Sequence, residues 1–343
     1  MRRVAASAPG KLFLTGEYAV LAGAPALVAA VDRRAHVEVA LESGPGPLTV
    51  ESLAEGTRRV IDDPEGDPVG SGDAGAILAA LRTARTAAPS LRAMRTRVLV
   101  DTRAFLAGGE KLGLGRSAAT VAAAVAAVLA CVGREDRGEI LEAALAAHAL
   151  LQDGRGSGAD VAAAARGGVI EFRRDGGEVG IRPRALPPGL HLLVGWSGEG
   201  GATDPMLRRF ATRARESRAL GELVAVAERA AAAVERGDGA ALLDAVASTA
   251  DLLARLGEET GIPIVTPALE RLVVAARRVG AAAKPAGAGG GDCGIALATS
   301  PAQADAVCAA WRAAGIVPLP VTIAAEGVRP AGHEELAHEV SLG

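Results

Sequence analysis

Apolar residues occur in two patterns along this chain: short apolar or alternating runs, and longer segments in which they recur every three or four positions. The short runs are typical of β-strands. They cover residues 11–15, 26–31, 36–41, 48–52, 97–101, 169–173, 179–182, 191–196, 295–298 and 317–323. The longer segments predict α-helices. These cover residues 74–88, 118–132, 135–151, 159–166, 205–216, 222–236, 239–256, 266–278 and 301–314.

Strands and helices are mixed in both halves of the chain, and several strands are joined by short turns. A Gly/Pro turn occupies residues 44–47, and Asp-Gly-Gly at 175–177 is a hairpin signal. This arrangement predicts an α+β fold rather than a doubly wound parallel sheet. Two adjacent prolines within residues 183–189 mark a domain boundary. We therefore expect an N-terminal domain over residues 1–187 and a C-terminal domain over residues 188–343.

The composition allows two domains with full cores and argues against nucleic-acid binding. A chain of 343 residues is long enough for two such domains. Aromatic residues make up only 2% of it, which leaves little surface on which bases could stack. The net charge is −3 and charges of both signs are interspersed, so no basic face for nucleic acid or an anionic membrane is visible.

Cysteine usage and hydropathy indicate a cytoplasmic protein. The three cysteines, Cys131, Cys293 and Cys308, are scattered and odd in number, which fits a reducing compartment better than a disulfide framework or a zinc site. No long apolar segment of the kind found in signal peptides precedes residue 9. The longest apolar helical stretch, residues 118–132, is too short to cross a membrane.

Two glycine-rich segments carry the candidate chemistry. Lys111-Leu-Gly-Leu-Gly-Arg-Ser-Ala-Ala119 opens an Ala/Val-rich helix, and five of the eight residues in 287–294 are glycine. Glycine allows positive φ and close approach to a ligand. Successive N–H groups in such a loop, or at a helix N-terminus, favour a phosphate. Two such loops in one chain suggest an enzyme that handles phosphate groups.

Simpler interpretations compete with these. The first loop resembles the dinucleotide fingerprint, but it does not leave a strand directly, and no Gly-Lys-Ser/Thr makes it a Walker A loop. By itself it is either a turn or a phosphate site, and Ser117 either caps the helix or contacts Mg²⁺. The second loop, alone, could be a tight connection in which Asp292 and Cys293 are structural.

A third segment, residues 147–160, holds a candidate general base. Asp160 follows a Gly-Ser-Gly turn, where an aspartate is most often a helix N-cap and alternatively a general base or electrostatic anchor. His148 lies on a helix that is apolar nearly all round, so we interpret it as a core histidine.

Three segments, spread over nearly the whole chain, resemble the motifs of the GHMP kinase superfamily and occur in the same order as in that superfamily. They are Pro9-Gly-Lys-Leu-Phe-Leu-Thr-Gly-Glu-Tyr-Ala-Val-Leu21, Gly113-Leu-Gly-Arg-Ser-Ala-Ala119 and Lys284-Pro-Ala-Gly-Ala-Gly-Gly-Gly-Asp292. The resemblance implies an N-terminal domain like ribosomal protein S5 domain 2 and a ferredoxin-like C-terminal domain. It also implies that ATP and the substrate bind in the cleft between them.

Details of the motifs are similar to the phosphomevalonate kinase branch. They include Gly-Glu-Tyr-Ala-Val-Leu at 16–21, Lys111 ahead of Leu-Gly-Leu-Gly, and Ala-His-x-x-x-Gln leading to Gly-Ser-Gly-x-Asp160. In mevalonate kinases a metal-binding Glu precedes the catalytic Asp by eleven residues, and here Ala149 occupies that position. The central loop of the family usually reads Gly-Leu-Gly-Ser-Ser, whereas this chain has Arg116 in place of the first serine.

The resemblance implies ATP-dependent phosphorylation of 5-phosphomevalonate to 5-diphosphomevalonate in the mevalonate route to isoprenoids, with Mg²⁺ accompanying the nucleotide. It assigns binding of the ATP phosphates to Gly113, Leu114, Gly115, Arg116, Ser117, Ala118 and Ala119. Ser117 is also assigned the contact with the metal. It assigns catalysis to Lys11 and Asp160. It assigns substrate binding to Lys11, Tyr18, Lys111, Ser157, Gly158, Lys284, Gly287, Gly289 and Gly290.

Charge explains several of these roles. Two phosphorylated reactants repel each other, so Lys11 and Lys111 are expected to supply fixed cations. Asp160 is expected to orient or deprotonate the acceptor, residues 197–203 to form the far wall of the substrate site, and Arg116 to face the nucleotide phosphates.

The alternative functions are a mevalonate kinase or another GHMP small-molecule kinase, and a non-catalytic nucleotide-binding homologue. A homodimer is kept as a hypothesis.

Overall fold

The computed structural model describes residues 2–62, 72–201, 206, 208–210, 212 and 217–332. Its strands are β1 Arg2–Thr15, β2 Ala26–Ser52, β3 Thr57–Ile61, β4 Met94–Asp101, β5 Leu106–Ala107, β6 Glu110–Lys111, β7 Val169–Asp175, β8 Glu178–Arg184, β9 His191–Trp196, β10 Ala282–Pro285, β11 Cys293–Ala298, β12 Val317–Leu319 and β13 Arg329–Pro330. Its helices are α1 Asp73–Ala87, α2 Arg116–Ala130, α3 Arg137–Leu151, α4 Ala159–Arg166, α5 Arg218–Arg236, α6 Gly239–Thr260, α7 Pro267–Arg278 and α8 Pro301–Ala313.

The strands form two main sheets in which most neighbouring strands are antiparallel, which confirms the predicted α+β class. The larger sheet has the order β13-β1-β2-β7-β8, with β3 and β4 also paired to β2. The smaller sheet has the order β10-β11-β9-β12, and β5 and β6 form a separate hairpin. The hairpin predicted at residues 175–177 joins β7 and β8, in which Asp175 pairs with Glu178.

The three strands predicted between residues 26 and 52 all fall within the element β2, which contains a turn. Its first part pairs with β1, for example Leu12 with Ala29. Residues 36–43 run antiparallel to β4, from His36 opposite Asp101, whereas residues 48–52 run in the same direction as β4, from Leu48 opposite Thr96, so the register shifts at residues 44–47. Gly44, with φ of 102°, permits the irregular backbone at that shift. The chain therefore reverses direction at residues 44–47, which confirms the Gly/Pro turn predicted there.

Helix α2 is the centre of the core beside the larger sheet. Every residue from Ala118 to Leu129 is buried, because its small Ala and Val side chains allow α1, α3, α4 and the sheet to pack closely around it. A second apolar cluster is shared between the two halves of the chain. It joins Leu12 and Leu27 of the larger sheet to Val246 of α6 and Ile295 of β11.

The division at residues 187 and 188 stays a prediction. The chain returns to the larger sheet near its end, because Arg329 of β13 pairs with Ser7 of β1. The helix predicted over residues 205–216 falls largely outside the described residues. Within the part of the chain that the structure describes, no helix combines the length and hydropathy needed to cross a bilayer.

Candidate active site

Lys11 lies between the two glycine-rich loops. Its backbone N–H donates to the Leu114 carbonyl at 2.7 Å, which fixes β1 against the first loop. Its side chain crosses Gly115 so closely that a Cβ there would lie 2.7 Å from Lys11 Cγ. A Cβ on Gly287 would lie 3.8 Å from Lys11 Nζ, so the ammonium reaches the second loop. The structure therefore brings all three sequence motifs together around one cation.

The N-terminus of α2 is open to a ligand. Gly115 is its N-cap, with φ of 82°, and no side chain caps the helix. Ser117 is exposed in the first turn, whereas Ala118 and Ala119 are buried. Because Ser117 does not cap the helix, the structural alternative for this residue is wrong. Uncapped N–H groups and the helix dipole favour an anion at this point.

The second loop folds back on itself through positive-φ glycines. Gly287, Gly289 and Gly290 have φ of 83°, 77° and 77°. A Cβ on Gly289 would lie 2.2 Å from the carbonyl oxygen of Ile264, and the Gly290 N–H donates to that same oxygen at 2.9 Å. Glycine is therefore required here by both φ and space.

Asp292 connects the two loops. A Cβ on Gly113 would lie 2.3 Å from the Asp292 Cβ, and Asp292 Oδ1 accepts the Gly201 N–H at 2.7 Å. Burial raises the pKa of the Asp292 carboxyl, and the Gly201 N–H, Lys11 and Lys111 oppose that rise. The contacts match the structural role suggested for Asp292. Of the predicted far wall, residues 202 and 203 lie outside the described residues.

The Lys284 ammonium is buried among groups of the protein. Its side chain is 0% exposed and forms an ion pair with Glu17, itself buried, and Nζ also donates to the Pro285 carbonyl at 2.8 Å. Burial lowers the pKa of Lys284, and the Glu17 carboxylate opposes that shift. The direct substrate contact expected of this side chain is therefore replaced by a link between the N-terminal motif and the second loop.

Tyr18 is placed similarly. Its hydroxyl donates to the Ala288 carbonyl at 2.5 Å, and its ring lies 4.7 Å from that of Phe210. Burial, with the Glu17 carboxylate adding to it, raises the pKa of Tyr18. The phenol thus holds the second loop instead of extending into an open space. Neither Glu17 nor this contact was identified from the sequence.

Lys111, Ser157 and Gly158 are the other predicted substrate-binding residues. Lys111 is exposed in β6, and its carbonyl accepts from the Trp196 indole N–H at 3.2 Å. Ser157 Oγ accepts the Ala159 N–H at 3.2 Å, and Gly158, with φ of 87°, is the N-cap of α4. Lys111 keeps a free approach to solvent, while Ser157 and Gly158 shape the start of α4.

Asp160 is not the N-cap of α4. It is the second residue of the helix, and its Oδ1 accepts the Val161 N–H at 2.9 Å. His148 Nδ1 lies 3.5 Å from the same oxygen, and the His148 side chain is 1% exposed. His148 is therefore a core residue, as expected, and it also contacts the candidate general base.

The Arg116 guanidinium pairs with two carboxylates of the protein rather than standing free toward a ligand, and its predicted orientation toward the nucleotide phosphates stays a prediction. Its guanidinium forms an ion pair with Glu55, and its Nε lies 3.2 Å from Asp73 Oδ1. The side chain is 14% exposed, so it does not face bulk solvent either. Glu55 and Asp73 lie outside every strand, helix and glycine loop predicted from the sequence, so the pattern gave no signal for them.

One sequence signal was overlooked. The chain contains 37 lysines and arginines, but only Lys11, Lys111 and Lys284 are lysines. Arginine and lysine are not interchangeable, because a compact ammonium suits tight spaces that a planar guanidinium does not. All three lysines lie in or beside the glycine loops, so their distribution alone points to this site.

Comparison with known proteins agrees with this geometry. The model of the GHMP kinases N terminal domain matches residues 109–168, and that of the GHMP kinases C terminal region matches residues 230–317. The chain is 35% identical to a phosphomevalonate kinase of Streptomyces sp. strain CL190, over 95% of this chain and 99% of that protein. It is 33% identical to a mevalonate kinase of Aeropyrum pernix, over 87% and 89% respectively.

A solved structure shows the same fold. Phosphomevalonate kinase of Streptococcus pneumoniae, in complex with phosphomevalonate and AMPPNP, superposes with a TM-score of 0.78 at 24% sequence identity. The superposition covers 93% of this chain and 99% of that one.

Proposed function

The chain belongs to the GHMP kinase family, and on that premise we propose that it transfers the γ-phosphoryl group of ATP to 5-phosphomevalonate, giving ADP and 5-diphosphomevalonate. The observation that carries the proposal is the position of Lys11 between the open N-terminus of α2 and the second glycine loop. One cation is thereby shared by the two places where phosphate groups of donor and acceptor would bind.

Phosphoryl transfer requires mainly positioning and stabilisation of charge, because negative charge spreads over the equatorial oxygens in the transition state. The α2 N-terminus would bind the ATP phosphates through its uncapped N–H groups. Lys11 would lie beside the transferred group, and Asp160 would orient the acceptor. A phosphate acceptor is largely ionised at neutral pH, so Asp160 is needed less as a base than it would be in an alcohol kinase.

The residues present fit Mg²⁺ carried by the nucleotide. Ser117 is exposed at the helix N-terminus that would bind the phosphates, and Mg²⁺ prefers oxygen ligands, often one or two from protein with the rest from phosphates and water. Among the residues that the structure describes, no group of three or more His, Cys, Asp or Glu side chains could hold a metal by itself. Bound there, Mg²⁺ would neutralise phosphate charge.

The proposal predicts that 5-phosphomevalonate is used far better than mevalonate. Lys111 is exposed and is proposed to meet the phosphate of the acceptor substrate, and Ala149 replaces the metal-binding Glu of mevalonate kinases. Measurement of kcat/KM for both substrates in an ADP-release assay tests it. A higher kcat/KM for mevalonate would identify a mevalonate kinase instead. Binding of ATP without turnover of any substrate would identify a non-catalytic homologue.

Substitution of Lys111 by Ala is expected to raise KM for phosphomevalonate by about tenfold or more, because a hydrogen bond to a charged group contributes ~1.5–3 kcal/mol. KM for ATP should change little. Lys111→Arg keeps the charge and is the matched control, expected to retain most of the affinity. Equal losses for both substrates would place Lys111 outside the acceptor site.

A homodimer and a cytoplasmic location stay predictions.

A further inference from the structure

Arg116 stands where the family usually has serine, and its charge is taken up by two carboxylates. Its guanidinium pairs with Glu55, and Nε lies 3.2 Å from Asp73 Oδ1. Asp73 is 1% exposed and Glu55 21% exposed. Two acids that converge on one arginine are mutually repulsive without it, so the three side chains form one electrostatic unit.

The two carboxylates are held rigidly at the start of α1. Glu55 Oε1 accepts the Asp73 N–H at 3.1 Å and lies over Gly72, where a Cβ would come within 2.3 Å of that oxygen. Asp73 Oδ2 accepts from Ser52 Oγ at 2.7 Å and from Thr102 Oγ1 at 2.9 Å. Neither acid can swing far away, because each is fixed by backbone or hydroxyl donors.

These acids are also close to the phosphate-binding position. Arg116 is the first residue of α2, so Asp73 and Glu55 lie within one arginine side chain of the uncapped helix N-terminus. Negative charge at that distance opposes an anion bound at the helix, and the interior transmits the effect better than water does. The favourable dipole of α2 would then be offset by the neighbouring acids.

We propose that Arg116 is a positioning and charge-shielding residue, which neutralises Glu55 and Asp73 so that the N-terminus of α2 can accept the phosphates of ATP. This inference rests on the proposed function. It differs from direct recognition of the phosphates by the guanidinium, because the carboxylates are what make the arginine necessary. It also explains how the chain accommodates arginine in a loop that usually carries serine.

The test compares Arg116→Ser with the double variant Arg116→Ser/Glu55→Gln. The single variant restores the usual serine of the family but exposes the nucleotide to both acids, so ATP should bind about tenfold or more weakly at low salt. The double variant should recover most of the affinity. Glu55 is chosen for rescue because it is the more exposed acid, and Gln can still accept the Asp73 N–H.

The Kd of ATP is measured by isothermal titration at low and high salt, together with KM for both substrates. The loss in the single variant should shrink at high salt, as screening predicts, and KM for phosphomevalonate should change less than that for ATP. Arg97→Ser is the matched control, since Arg97 of β4 pairs with Glu42 of β2 and is 51% exposed. Its ATP affinity should equal that of wild type.

Three results would overturn the inference. An unchanged Kd in Arg116→Ser shows that shielding is unnecessary. A loss that Glu55→Gln fails to repair shows that the arginine acts on the phosphates directly. Wild-type protein that does not bind ATP removes the proposed function and the inference with it, which separates that failure from the first two. If Arg116→Ser does not fold, Arg116→Gln keeps the side-chain length without the charge and carries the same expectation.

Discussion

Replacement of Asp160 by Asn is expected to lower kcat by about a hundredfold while the melting temperature stays near that of wild type. This loss of kcat is at the low end of the ~10²–10⁴-fold contribution that acid–base groups make to the rate, because the proposed acceptor is a phosphate oxygen. Asn keeps the size and can still accept the Val161 N–H that Asp160 binds at 2.9 Å. It loses the negative charge that would orient the acceptor and that lies beside His148.

The control for Asp160→Asn is Asp136→Asn. Asp136 is a true N-cap, whose side chain accepts the Glu139 N–H at the start of α3. Asn caps helices nearly as well as Asp, so both kcat and melting temperature should stay close to wild type. A normal kcat for Asp160→Asn together with a lower melting temperature would show that Asp160 is only structural.

Replacement of Lys284 by Met is expected to cost ~3–5 kcal/mol in the free energy of unfolding, since it leaves the buried Glu17 carboxylate without its partner. Both side chains are almost fully enclosed, so water cannot compensate. The loss should also disorder the second glycine loop, because the Gly287 N–H donates to Glu17 at 3.4 Å. Urea unfolding measures the loss in the free energy of unfolding, and titration with ATP and phosphomevalonate measures the effect on ligand binding.

A double-mutant cycle decides whether the charge is the cause. Glu17→Gln in the Lys284→Met background removes the unpaired carboxylate, and we expect it to restore a large part of the lost stability. Arg173→Met is the matched control, because its pair with Glu228 is about half exposed and should contribute less than ~1 kcal/mol. A double variant no more stable than Lys284→Met would mean that packing, rather than charge, holds this region.

The sequence predicted those features that depend on neighbouring residues. The Ala/Val run of α2 and the glycines at 113 and 115 determine a helix with an open start through local backbone preferences alone. The Asp-Gly-Gly hairpin is equally local. The three motifs converge as the resemblance implied, and Lys11 lies at their centre.

Side-chain partners across long separations were not predictable in this way. Arg116 and Glu55 are 61 residues apart, and Lys284 and Glu17 are 267 apart. Nothing in the residues around an arginine or lysine states which distant acid it will meet, because that depends on how the sheets and helices pack. For this reason two side chains expected to reach ligands, Arg116 and Lys284, proved to be committed to carboxylates of their own protein.

Because all three lysines lie at one site, reagents that react with lysine side chains are expected to modify this protein selectively at that site. Amine-directed reagents label most proteins over their whole surface, but here the side-chain amines are confined to Lys11, Lys111 and Lys284. Lys284 is enclosed, so Lys11 and Lys111 are the side-chain amines left for a reagent in the folded protein. Acylation, cross-linking or attachment to a support through lysine side chains therefore acts at the site between the two glycine loops, and not on the arginine-rich remainder of the surface.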